Sequence, residues 1–347
     1  MSLYSAHRRP SWRFVLLNRA DEPLRELDEV VGGDCEIVAR SRLGLSGNVQ
    51  LLHVGSALDW RNERMQAIYD PGITGVEPWA VGTFLFSSPE EFYSEAGLEY
   101  EVVLSSKLQL LDVSVLRSTF SLPAGANIVA AVTDLIRSVG ETRVASTPSD
   151  RVLRSGMVWE PGESKLTIIN DLLTAINYWS LWVDGAGQFR VEPYVAPGDR
   201  AVRHEFVQGP GAIHAAEWSR SRDEASIPNV VVVTSQGTDD EEGFVGVAVN
   251  DDPADPYSIV NSVEIAFTDE VSDLESEAQA VARAERLLVE KRSAIGKIFA
   301  RYVPIPADPN DAVLLRDQSY EGVATVQRVA YSFSPGAWCE AEWREVL

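Results

Sequence analysis

The sequence predicts an α+β protein whose two ends are built from antiparallel β-strands and whose middle mixes helices with strands. Three observations predict it. Short segments rich in β-branched and aromatic residues, broken by Gly, Pro and Asp, fill the chain before about residue 118 and after about residue 296. Apolar residues recur at three-and-four spacing in three stretches between them. An apolar helix, an aromatic strand, an Asp-Gly-Ala-Gly turn and an alternating return strand occupy Gly156 to Tyr194. With 347 residues, 45% of them hydrophobic, the chain is long enough for two or more cores. No apolar run approaches the ~20 residues of a membrane span.

The start, MSLYSAHRRPSWRF, has basic residues but no apolar stretch or small-residue cleavage site behind them, so no secretory signal is expected. Strands are predicted at Trp12 to Asn18, Cys35 to Arg40, Asn48 to His53, Asn62 to Asp70, Trp79 to Ser87 and Tyr100 to Leu111. Their regular spacing predicts an antiparallel barrel or sandwich over residues 1–118. Ala126 to Val139 reads as a helix, with Ile128, Val132, Leu135 and Val139 as its apolar stripe and Gly140 as its stop.

In the helix-and-hairpin unit, Ser164 is placed to cap a helix whose face carries Leu166, Ile168, Ile169, Leu172, Leu173 and Ile176. Tyr178 to Asp184 then puts Trp179, Leu181 and Val183 on one side of a strand, opposite Tyr178, Ser180, Trp182 and Asp184. Gly185 and Gly187 are expected to supply positive backbone angles for the reversal, and Phe189 and Val191 to point inward. Trp159, Trp179 and Trp182 could stack a sugar or a base, but the surrounding periodicity assigns them to a core or a subunit interface, so burial is expected.

Further strands are predicted at Ala212 to Arg220 and Asn229 to Ser235. The longest helix is expected at Ser276 to Ile295, with Ala278, Val281, Ala282, Leu288 and Ala294 apolar, Glu285 and Glu290 exposed, and Gly296 as terminator. Strands close the chain at Lys297 to Ile305, Ala312 to Arg316, Val323 to Ser334 and Ala337 to Val346, the last two divided by a Pro335-Gly336 turn.

Charge excludes one class of function. Thirty Lys and Arg against 52 Asp and Glu give a formal net charge of −22, so phosphate-gripping nucleic-acid binding is not expected. The acidic residues are dispersed, the densest run being Thr238 to Glu242, read as a solvated loop. They serve solubility, or some of them line a channel past which DNA slides without sticking. Cys35 and Cys339 stand at opposite ends with no CxxC or neighbouring His, which predicts reduced, packed thiols.

No catalytic, cofactor-binding or metal-binding residue is assigned. Of the four histidines, His7 lies in the basic start, His53 ends a strand, and His204 and His214 flank a Gly-Pro-Gly turn; metal ligation across a hairpin is one reading of that pair, but two histidines without further ligands are expected to be surface or packing residues. Gly44-Leu45-Ser46-Gly47 falls short of a GxSxG elbow and reads as a turn between strands. Asp251, Asp252 and Asp255 are interrupted by Pro253 and Pro256 and lack the alternating ligands of a calcium loop, so a rigid turn is expected. Carboxylates are numerous, but abundance alone does not mark a glycosidase pair.

The succession of segments resembles the central baseplate hub proteins of tailed bacteriophages and related contractile machines, including the N-terminal hub portion of the siphophage tail-tip proteins called tail-associated lysins. The resemblance rests on WAVGTFLFSSP, on SGMVWEPGESKLTIINDLLTAINYWSLWVDGAGQFRVEPY, and on NVVVVTSQG before an Asn-Asp-Asp-Pro loop ending Asp255-Pro256-Tyr257-Ser258. It includes the long helix beginning near Glu275 and the closing GVATVQRVAYSFSPGAWCEAEWREV pair. It spans nearly the whole chain, in order.

The resemblance implies two β-barrel-like tube domains with an interleaved α/β portion, and a homotrimer forming a pseudo-sixfold ring. The first tube domain would be residues 1–118, the α/β portion 119–199 and 236–295, and the second tube domain 200–235 and 296–347. It further implies a structural, non-enzymatic virion protein in the phage tail, assembled in the host cytoplasm, that adapts a sixfold tail tube to a threefold tip or spike. Implied partners are a distal tail or tail tube protein, a tape measure protein and a tip or spike protein, with DNA passing through the lumen without specific binding and no cofactor. Two alternatives stand beside it. One is a tail-tip cell-wall hydrolase, disfavoured because the sequence to Leu347 carries no catalytic Cys/His or metal-ligand motif; the other is a carbohydrate-binding receptor module.

Overall fold

The computed structural model describes residues 4, 6–52, 58–94, 97–153, 155–235, 243–271, 276–293 and 296–346. His53, the acidic run at Thr238 to Glu242, Glu275, Ala294 and Ile295 lie outside the described residues.

The N-terminal part contains β1 (Ser11–Leu17), β2 (Pro23–Glu26), β3 (Val30–Val38), β4 (Leu45–Leu52), β5 (Arg64–Asp70), β6 (Trp79–Ser94) and β7 (Gly97–Ser106). The middle contains α1 (Gln109–Asp112), β8 (Phe120–Leu122), α2 (Ile128–Arg137), β9 (Val144–Ser146), β10 (Met157–Trp159), α3 (Lys165–Ala175), β11 (Trp182–Val183) and β12 (Phe189–Val191). There follow β13 (Val202–Val207), β14 (His214–Arg222), β15 (Val230–Ser235), β16 (Val245–Val249), β17 (Ala266–Val271) and α4 (Glu277–Ser293). The chain closes with β18 (Gly296–Tyr302), β19 (Ala312–Arg316), β20 (Glu321–Ser332) and β21 (Cys339–Glu345).

Both β-rich ends enter one 13-stranded sheet in the order β14-β18-β21-β20-β3-β4-β7-β6-β5-β1-β2, with β19 on β20 and β13 parallel to β19. Every other pairing in it is antiparallel. The path is open: β14 and β2 are its ends among the described residues. The seam between the two ends of the chain is β3 against β20, with Cys35 opposite Tyr331.

Side-chain alternation explains why these segments are strands. Along β4, Leu45, Val49 and Leu51 are buried while Ser46, Asn48 and Gln50 face out. Along β18, Ile298, Ala300 and Tyr302 point inward and Lys297, Phe299 and Arg301 outward. The inward sets from both ends of the chain form a single core. Trp12 packs edge-on against Tyr69 at 5.0 Å and Phe333 at 5.2 Å, and Phe14 meets Phe333 at 5.0 Å, so aromatic packing reinforces the β3–β20 seam.

A second core belongs to the helical middle. The side chain of Asn127 caps α2 by accepting from Ala130 N at 2.9 Å, and Ser164 caps α3 by accepting from Thr167 N at 3.1 Å. α3 buries Leu166, Ile168, Ile169, Leu172 and Leu173 as its periodicity predicts, against Ile128, Val132, Leu135 and Ile136 of α2 and Phe189 and Val191 of β12. In a third unit, β16-β15-β17 packs on α4 through Val231, Val233 and Ala248 against Ala280, Ala284 and Leu288.

The structure corrects several expectations. Leu111 belongs to α1 rather than to the end of a strand, because Leu108 and Leu111 turn into the second core. Gly47 lies within β4, not in a turn; the reversal is made by Ser41 to Gly44. Gly296 opens β18 instead of stopping the helix. The buried stripe of α4 is Ala280, Ala284 and Leu288, whereas Ala278 and Ala282 are exposed, since alanine scattered on every face gives the helix no clear phase. Strands β2, β8, β9, β10, β13, β16 and β17 are not among the expected ones. In β16 the large residues Val245, Val247 and Val249 are the exposed ones, and Gly246 and Ala248 face α4.

Gly246 shows why. A Cβ there would lie 2.1 Å from the backbone carbon of Ala280, so strand and helix meet at van der Waals distance only without a side chain. Gly246→Val is therefore expected to lower stability by roughly 1–3 kcal/mol or more through overpacking. Urea denaturation followed by far-UV circular dichroism, with amide exchange of Val231 to Val233, checks it.

Candidate functional site: the junction between the packed units

Four charged side chains sit out of water where the helical middle meets the sheet. Asp21 follows β1, Arg64 opens β5, Lys107 follows β7 and Glu141 follows α2; their side chains are 0–3% exposed. Arg64 binds Asp21 through Nη1 and Glu141 Oε1 through Nη2 at 2.5 Å. Lys107 Nζ binds Asp21 Oδ2 at 2.6 Å and Glu141 Oε2 at 2.8 Å, and donates to the Gly187 carbonyl at 2.7 Å. Two cations thus alternate with two carboxylates, the arrangement that makes desolvated charge tolerable.

The hairpin turn docks on this cluster. Thr83 Oγ1 donates to the Gly185 carbonyl at 3.0 Å, and Lys107 lies 5.1 Å from the centre of the Phe189 ring. Of the two turn glycines, only Gly187 has a positive φ, 82°. Gly185 is needed for a different reason than expected: a Cβ would sit 2.0 Å from the Ala80 carbonyl oxygen. The Asp-Gly-Ala-Gly turn is a foot pressed against β6.

Beside the foot opens a cleft of about 860 Å³. Its walls are the β3–β4 hairpin, Trp79 to Val81, the segment Trp179 to Gly185, the loop Pro306 to Asn310, and Glu290 of α4, so all three units contribute. Trp179 and Trp182 are half-buried cleft walls, a correction to their expected burial. The predicted strand through them is short, β11 being only Trp182–Val183; Leu181 is buried in the second core, and Tyr178 and Val183 pack against it partly buried. Trp179 packs on Tyr194 at 4.5 Å and beneath Arg200 at 4.7 Å; Trp182 Nε1 donates to Glu192 at 3.0 Å. Trp159 is buried as expected and donates to Asp171 at 2.9 Å.

On the loop wall, Arg203 reaches Asp311 at 3.3 Å and Asp308 at 3.7 Å. Burial, then the neighbouring Asp311 charge, push the Asp308 carboxyl up to about 6. Because 46% of its side-chain surface is open to the cleft, solvent screens the stability this shift represents. Burial also raises Asp311.

The two histidines do not face each other across a hairpin. β13 pairs with β19 and β14 with β18, because each strand leaves the Gly209 to Gly211 turn for a different neighbour. His204 Nε2 bonds the Pro306 carbonyl at 2.8 Å. His214 is 4% exposed, with neither ring nitrogen hydrogen-bonded among the described residues, and burial holds its pKa below the ordinary value. The Asp252 and Asp255 carboxylates are taken by their own turn, accepting from Ala254 N and Tyr257 N at 2.9 Å each. Cys35 and Cys339 are free and buried, and burial raises both thiols. Among the described residues no group of three or more His, Cys, Asp or Glu is placed to hold a metal ion.

Two predictions follow from this geometry. Lys107→Met leaves the two buried carboxylates to Arg64 and, for Asp21, the partly exposed Arg143 at 3.8 Å, and is expected to cost about 3–5 kcal/mol in chemical denaturation. For pH, His214 binds its proton more readily unfolded, so its contribution to stability is present above pH 6.5 and lost as pH falls below it. Asp308 binds its proton more readily folded, so its contribution is present below 3.8 and lost as pH rises to about 6. Melting temperatures between pH 4 and 8 are expected to lose the first slope in His214→Phe and the second in Asp308→Asn.

No protein-family model matches the chain, and no curated protein matches it by sequence. Solved structures do match in fold. The tail protein from Neisseria meningitidis MC58 superposes with a TM-score of 0.70 at 14% identity, covering 96% of this chain and 97% of that one. The 43 kDa tail protein of prophage MuSo2 from Shewanella oneidensis superposes with a TM-score of 0.70 at 9% identity, covering 96% and 98%. The E. coli c3393 protein, a type VI secretion component described as structurally similar to the T4 tail proteins gp27 and gp5, gives 0.50 at 10% identity over 92% and 73%. At these identities the likeness establishes a shared fold, running almost end to end in the two tail proteins.

Proposed function

We propose that this chain is a structural component of a phage-type tail, a hub that adapts a sixfold tail tube to a threefold tip or spike and continues the DNA channel. The observation that carries the reading is the end-to-end fold match, 96% of this chain against 97% and 98% of two tail proteins. Residues 1–118 would be one barrel-like tube domain and 200–235 with 296–347 the other, with 119–199 and 236–295 as the α/β portion. Three copies would close a ring of six similar β-faces, the geometry by which one surface meets a sixfold partner and another a threefold one. Its neighbours would be the tail tube or distal tail protein, the tape measure protein and the tip protein, and its place the virion tail. The net charge of −22 suits a lumen through which DNA moves without being held.

The chain's role here is positional, and no bond is made or broken. The purified protein is expected to form particles of three times the 38.1 kDa chain mass, with threefold averages in negative stain and no clearing of peptidoglycan in a zymogram. A ring of another symmetry, or clearing by the chain alone, would overturn the proposal.

A further inference from the structure

One strand outruns its neighbour. β6 is 16 residues long, but β5 covers its outer edge only from Trp79 to Leu85, so from Phe86 to Ser94 it has β7 on one side and, among the described residues, no strand on the other. A bulge between Ser87 and Glu90, with Ser88 at a φ of 49°, carries the strand past Pro89 and out of the core. Beyond it Glu90, Glu91, Phe92 and Tyr93 are all exposed, Tyr93 at 78% more so than any other large apolar side chain described. The β6–β7 hairpin thus ends in an arm with one open edge.

The arm carries charge of one sign. No Lys, Arg or His stands between Arg64 and Lys107 in the sequence. Glu90 lies directly across from Glu101, and Phe92, next on the same face of β6, lies across from Glu99. Like charges placed opposite each other on a sheet are unfavourable, and neither Glu90 nor Glu101 has an ion-pair partner among the described residues. On the other face Glu91 accepts from the Tyr93 hydroxyl at 2.6 Å, and Tyr93 lies across from Leu98. An unpaired edge is a template for a further strand, and its charge selects which one. Two acidic arms repel each other, whereas a strand bearing Lys or Arg is attracted and relieves the Glu90–Glu101 repulsion. The bulge, the proline and the charge that keep copies of this chain from pairing here leave Glu90 to Ser94 open to a partner of opposite sign.

We propose that the β6–β7 arm docks a strand of another protein, one that alternates Lys or Arg with apolar residues and adds to the free edge of β6 along Glu90 to Ser94. Main-chain hydrogen bonds supply the affinity, the cations meet Glu90 and Glu101 on one face, and the apolar side chains pack on Tyr93 and Leu98 on the other. The site does not depend on the tail-hub reading.

Amide NMR of the full chain titrated with a short peptide alternating Lys and Val tests it, beside the same peptide N-methylated at every second amide and one alternating Glu and Val. Saturable shifts centred on Glu90 to Ser94 are expected for the first peptide, about tenfold or more weaker binding for the N-methylated one, which keeps the charge and loses the ladder, and none for the acidic one. Glu90→Lys combined with Glu101→Lys is expected to weaken binding about tenfold or more, and Tyr93→Ser about threefold; these side chains are exposed, so the variants fold. Absence of saturable binding, equal affinity for the N-methylated peptide, or unchanged affinity in the charge-reversed variant overturns the proposal. Shifts at Glu90 to Ser94 that grow with protein concentration alone assign the edge to a second copy and overturn it as well.

Discussion

Four buried charges dictate how this molecule is assembled. Asp21, Arg64, Lys107 and Glu141 come from four places spread over 120 residues, and none of them tolerates burial unless the others arrive. Hydrophobic packing alone would let the helical middle settle on the sheet in many orientations. The alternating square of charges, closed by the Gly187 carbonyl, is satisfied in one. The missing Cβ of Gly185 follows from that requirement, since the turn carrying the carbonyl has to lie against β6.

The same logic explains why the chain's ends share a core. β3 and β20 are almost 300 residues apart in sequence yet adjacent in the sheet, and Trp12 and Phe14 pack on Phe333 across that seam. Contacts so distant in sequence impose a large loop-closure entropy, which only a cooperative unit recovers. The helical middle and the β15–β17 unit are therefore excursions from one sheet.

Much of this fold is legible in the sequence because it rests on local rules. Ser164 as a cap, the apolar face of α3, the inward Phe189 and Val191, and the Gly336 turn each follow from spacing or backbone chemistry within a few residues. The junction is not legible. Nothing near Arg64 or Lys107 announces a partner, because charge pairing has no sequence period. Trp179 and Trp182 mislead for a related reason: alternation tells which side of a strand a residue faces, but not whether another unit covers that side. The valines of β16 invert the usual rule because the helix beneath demands glycine and alanine.

The joints between units differ in kind, and the difference bears on what a positional protein can do. The helical middle is fixed to the sheet by fully desolvated charges, whose geometry leaves little freedom. The β15–β17 unit meets the sheet through the exposed Arg40–Glu290 bridge and beside a second cleft of about 610 Å³ lined by Ser221, Phe267 and Phe299. An exposed ion pair is worth roughly 0–1 kcal/mol, so this bridge parts at far lower cost than the buried charges. The sheet and helical middle are thus tied together by buried charge, and the third unit is held to them by the weaker kind of ion pair. Both joints border the large cleft, Leu108 and Gly185 beside the buried charges and Arg40 and Glu290 at the exposed bridge, so parting the weaker joint would reshape the cleft and leave the stronger one unmoved.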